Sequence, residues 1–137
     1  MRRLAPLLAV AVLAAGCDDS KPGEKVVSPV PGSRLVNVAT PKGNAAAGKA
    51  VFTANGCGAC HTYKAAGSTG KVGPDLDKLP QYAAEAKRGS LDAFVQESIT
   101  APNAYVQPGY PSGVMPSFGS LSAQQLADLV AFLTKGH

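Results

Sequence analysis

The five residues Cys57-Gly58-Ala59-Cys60-His61 restrict this chain more than any other stretch of it. Two thiols three positions apart, with an imidazole directly after the second, suit few purposes. A zinc site needs four ligands, and outside this stretch the chain offers His137 and carboxylates. A thioredoxin-like dithiol needs a strand ahead of it and an alternation of strands and helices, and neither is legible. The pattern is that of c-type haem attachment. The two thiols add across two vinyl groups on one porphyrin edge, and the histidine is carried beneath the iron as its proximal ligand. Cys57 and Cys60 are therefore the expected thioether sites, His61 the expected iron ligand, and one covalent haem c the expected cofactor.

The composition calls for a filler of that kind. The chain has 137 residues, enough for one domain with an appended segment. It has no Trp, four Phe and four Tyr, and much of its 45% hydrophobic content is Ala. Side chains that small make a thin core, and a buried porphyrin would supply the missing bulk. Lys and Arg number 13 against 9 Asp and Glu, and Arg2 and Arg3 supply half of that excess. No basic stripe remains to displace counterions along a phosphate backbone, so nucleic acid is excluded as a partner.

The element pattern is helical throughout residues 45–137. Asn44 caps a helix over Ala45–Asn55, with Gly48, Val51 and Phe52 toward a partner and Gly56 as the stop. A shorter helix runs from Pro80 to Lys87, with Gly89 after it. Ser90 caps Leu91–Ile99, whose Leu91, Phe94, Val95 and Ile99 share a face, and the helix ends ahead of Pro102. Ser122 and Gln125 form a capping box opening a helix with Leu126, Leu129, Val130 and Leu133 on one stripe. No segment alternates as a strand. The expected fold is all-α, three to four helices around one haem, with long Gly- and Pro-rich loops at 62–79 and 101–120.

The N-terminus has its own grammar. Met1-Arg2-Arg3 precedes 12 apolar residues, Leu4 to Ala15, interrupted only by Pro6. As a helix these span roughly 18 Å, short of a ~30 Å hydrocarbon core, which marks an export signal over residues 1–16 and not a membrane span. Leu13-Ala14-Ala15-Gly16-Cys17 resembles the lipobox of bacterial lipoproteins, with Ala14 where Leu is commonest. That resemblance implies that Cys17 is acylated and becomes the mature N-terminus. An ordinary signal-peptidase cut after Ala14 or Ala15 is the competing reading. Residues 18–44, punctuated by Pro22, Pro29, Pro31 and Pro41, read as a tether, although the Val-rich part could lie on the domain as a strand-like arm. The three cysteines then divide into one lipid site and two thioethers, with no disulfide.

Residues 45–137 resemble the class I monohaem cytochromes c of bacterial type, and are similar to the cytochrome c domains associated with haem-copper oxidases. Gly48 and Phe52, with Leu129 and Phe132, match that family's crossing of first and last helices. Gly73-Pro74-Asp75-Leu76 matches the loop in which the proline carbonyl accepts the proximal histidine's Nδ1–H, so the resemblance implies that role for Pro74. The loop Tyr110–Gly119 resembles the distal-ligand loop. Met115 is the only thioether left once Met1 is removed with the signal, and it is the expected second iron ligand; His137 and an open five-coordinate iron are the alternatives.

A His/Met-ligated haem implies a one-electron carrier, not an enzyme, and a relatively high potential. The expected location is the outer face of the cytoplasmic membrane, periplasmic or cell-surface, reached through the lipid anchor. Respiratory complexes or a dehydrogenase are the expected redox partners, and the protein is expected to be a monomer. A dedicated electron-transfer subunit of an oxidase or dehydrogenase is the alternative, and a haem peroxidase or gas sensor a more distant one. Seven cationic side chains against six anionic ones over 45–137 give little long-range steering.

Overall fold

A computed structural model describes residues 41–135. The signal segment, Cys17, most of the tether with its Val-rich part, and His137 lie outside the described residues.

Helix α1 (Ala45–Ala54) begins where the Asn44 side chain accepts from Ala46 N at 2.9 Å and Ala47 N at 3.2 Å. These N–H groups have no intrahelical partner, so the cap removes the cost of starting the helix there. Asn55 ends it, and Gly56, at φ +67°, turns the chain into a single helical turn, α2 (Cys57–Cys60). Helix α3 (Leu79–Ala86) has Pro80 in its first turn, where no N–H is needed. It stops at Lys87, which adopts a left-handed φ of 53°, so Lys87 is the cap and not the helix's last residue. Helix α4 (Leu91–Thr100) starts on Ser90, whose Oγ accepts from Ala93 N, and helix α5 (Ala123–Thr134) opens on the reciprocal Ser122–Gln125 capping box.

The first and last helices cross at Gly48. A Cβ there would land on the backbone carbonyl of Asp128 and on Phe132, so only glycine lets α1 and α5 approach this closely. Phe52 and Phe132 meet edge to face at 5.7 Å between centroids, and Tyr63 joins them at 6.0 and 5.3 Å. The Tyr63 hydroxyl donates to the Phe132 carbonyl at 2.9 Å, one of the last-turn carbonyls that α5 cannot satisfy itself. Burial, helped by nearby Asp77, pushes the Tyr63 hydroxyl up, which keeps it a donor.

Asp128, only 7% exposed, secures the start of α1. Its Oδ1 accepts from Asn44 N at 2.7 Å and from Gln124 Nε2 at 2.8 Å, and Gln124 also donates to the Lys42 carbonyl at 3.2 Å. Residues 42–44, at the end of the segment read as a tether, thus lie along Gln124, Ala127, Asp128 and Ala131 of α5. At about 100° per residue that stripe is opposite the one carrying Leu129 and Leu133.

The all-α expectation holds, with five helices when the turn bearing the cysteines is counted. The expectation of no strand needs correction. Thr62–Tyr63 (β1) and Ser68–Thr69 (β2) form a two-rung antiparallel ladder directly after the cysteine motif. Strands of two residues are too short to display any alternation. Their register comes from the intervening 3-10 turn and Gly67 at φ +71°. Among the described residues no helix is long and apolar enough to cross a membrane.

Candidate functional site

A cavity of about 290 Å³ opens between α2, α3, α4, α5 and the loop that precedes α5. Of the eleven apolar residues buried among the described ones, seven line it: Phe52, Leu79, Phe94, Val95, Ile99, Leu129 and Leu133. The core of this domain is therefore largely a wall. The thin composition of the sequence and the hollow in the fold are the same fact.

Cys57 and Cys60 stand on that wall, one half-buried and one exposed. One helical turn, continued by His61 N donating to the Cys57 carbonyl at 3.0 Å, fixes their separation and sets His61 at its end. Burial pushes the Cys57 thiol up, and its neighbour Cys60 adds to the shift. Among the described residues no three His, Cys, Asp or Glu side chains gather at one point.

His61 is 9% exposed and its orientation is set from behind. Its Nδ1 lies 2.7 Å from the Pro74 carbonyl oxygen, which can only accept, so Nδ1 carries the proton and Nε2 keeps its lone pair for a metal. Gly73 lies against the imidazole; a Cβ at 73 would strike ring atoms. Gly73 N donates to the Cys60 carbonyl at 2.8 Å, Thr62 Oγ1 to the Gly70 carbonyl at 2.8 Å, and Ser68 Oγ to the His61 carbonyl at 2.9 Å. The small ladder and the 70–74 loop are thus one brace around a single imidazole.

Met115 lines the same cavity from the loop ahead of α5, and it is the one thioether among the described residues. Tyr105, stacked edge-on against Phe94 at 5.7 Å, and Gln107, donating to Glu85 at 3.0 Å, hold the first half of that loop to α4 and α3. The structure brings Cys57, Cys60, His61, Pro74 and Met115 together around one space, while Cys17 and His137 lie outside the described residues. Two thiols on one edge, an imidazole with its lone pair available, a thioether and an apolar lining fit a porphyrin.

A family model described as Cytochrome c matches residues 45–136. The chain belongs to the cytochrome c family. No individual curated protein matches it closely enough to be set beside it. As a cytochrome c, the protein carries one covalently attached c-type haem and serves haem-based electron transfer. Several groups that brace this cytochrome's fold or its site escaped sequence reasoning: Tyr63, Ser68, Asn103, Ser117 and Asp128. Each is a polar residue in ordinary company, and only the partner that it meets distant in sequence gives it a role.

Proposed function

We propose that this cytochrome is a one-electron carrier whose iron is held between His61 and Met115, with Cys57 and Cys60 as the thioether sites. We further propose that acylated Cys17 tethers it to the outer face of the cytoplasmic membrane. The observation that carries the ligand reading is that His61 and Met115 line one apolar cavity, with the His61 ring fixed through Nδ1 on Pro74. Bound haem supplies a ferric–ferrous couple that takes one electron from a donor and passes it to an acceptor. A thioether favours the ferrous state, and an apolar lining disfavours the extra charge of the ferric state, so both raise the potential. Two axial side chains leave no vacant position for a substrate, which supports a carrier over a peroxidase or gas sensor.

The ferric protein is expected to show the weak long-wavelength charge-transfer band of sulfur–iron ligation, and a ferric spectrum without it would remove Met115 from the iron. The tether has a separate test. Wild-type protein should stay with membranes through a 1 M salt wash, because salt shortens the Debye length to about 3 Å yet leaves acyl insertion untouched. Cys17→Ser should block lipid-dependent processing and lower electron transfer through lost local concentration, with the haem spectrum unchanged. Wild-type protein that is soluble after gentle lysis, with an N-terminus other than Cys17, would refute the anchor and leave the carrier reading standing.

A further inference from the structure

We infer that Asn103 and Ser117 are positioning residues for Met115, and that together they set how rarely this side chain leaves the iron. The inference rests on the proposal that Met115 is a ligand. Met115 is bracketed two residues on either side by bonds from the loop to fixed points. On the N-terminal side, Gly113 N donates to the Asn103 side-chain oxygen at 2.7 Å, drawing together two points ten residues apart. On the C-terminal side, Ser117 Oγ donates to the Thr100 carbonyl at 2.6 Å, and Phe118 N donates to the Ile99 carbonyl at 3.0 Å.

The physical reason lies at the end of α4. Its last carbonyls have no acceptor role left inside the helix and need donors from elsewhere. Ile99 and Thr100 obtain them from the segment just beyond Met115, so the ligand loop doubles as the helix's C-terminal cap. Asn103 follows α4 by three residues and reaches back across the loop to the segment just before Met115. Gly113, at φ +77°, turns the chain there in a conformation that other residues rarely adopt, and Pro116 stiffens the step after the ligand. Met115 is therefore the middle of a five-residue span held at both ends. Held in this way, the backbone at Met115 cannot carry the sulfur far unless one end releases.

That mechanism separates two quantities that a general loss of stability would move together. Releasing one end should raise the population of the Met-off state by the factor that one hydrogen bond is worth, roughly fivefold to tenfold, while α1, α5 and the His61 brace stay as they are. The experiment uses the full-length holoprotein and follows capture of added imidazole by the ferric form. At saturating imidazole the rate reports departure of the native ligand. Asn103→Ala and Ser117→Ala should each raise that limiting rate roughly fivefold to tenfold with haem content and helical signal unchanged. Asn103→Asp and Ser117→Thr, which keep an acceptor and a donor respectively, should restore the wild-type rate. The inference is overturned if both alanine variants capture imidazole at the wild-type limiting rate, whatever their melting temperatures. Should one alanine variant fail to retain haem, the other decides, since the two bonds hold opposite ends of the span. Met115→Ala run beside them tests the underlying reading: capture in that variant should lose its rate limit altogether, and a limit that persists would show that another ligand is the one departing.

Discussion

Wild-type protein denatured in acid and organic solvent is expected to keep its haem, whereas Cys57→Ala combined with Cys60→Ala should release all of it, which extraction and the mass of the intact chain would measure. The consequence for the fold should be large. Seven of the eleven apolar residues buried among the described ones line a cavity of about 290 Å³, and without haem they would face water instead of porphyrin. A domain of this size has only ~5–15 kcal/mol of total stability. The double variant without haem should therefore lose most of its cooperative thermal transition, with the far-ultraviolet helical signal much reduced. A wild-type protein whose haem extracts freely, giving a b-type haemochrome spectrum, would contradict the thioether assignment directly.

Met115→Ala carries the second large effect. Loss of the thioether should abolish the sulfur–iron band in the ferric protein and open the iron to carbon monoxide in the ferrous one. The midpoint potential should fall by on the order of 0.1–0.3 V, within the ~0.8 V range over which axial ligation acts. Potentiometric titration and carbon monoxide binding measure both on the same sample. An unchanged spectrum in this variant would take Met115 off the iron and direct the search to His137. Because Met115 sits in a loop and not in the α1–α5 crossing, the variant should still fold around its covalent haem.

Much of this was legible in the chain because the signals were local. The Cys57–His61 motif needs only five consecutive residues, and the Asn44, Ser90 and Ser122 caps each act within three residues of themselves. What escaped were features made by distance. The β1–β2 ladder has two rungs and so no period to read. Lys87, read from the sequence as the last helical residue, takes a left-handed cap conformation that a lysine does not advertise. Tyr63 and Asp128 look like ordinary members of a loop and a helix until their partners, 69 and 84 positions away, come into contact. The same holds for Asn103 and Gly113, whose bond has no sequence signature beyond the flexibility of glycine.

The attachment of residues 42–44 to the outer stripe of α5 has a mechanical consequence. A pull on the chain from residue 41 is first resisted by the Gln124–Lys42 and Asp128–Asn44 bonds. The stripe of α5 that these bonds hold lies opposite the one whose Leu129 and Leu133 line the cavity. Strain relief is thus built in where the chain enters the domain. A load at the N-terminal end is met first on the side of α5 that faces away from the cavity.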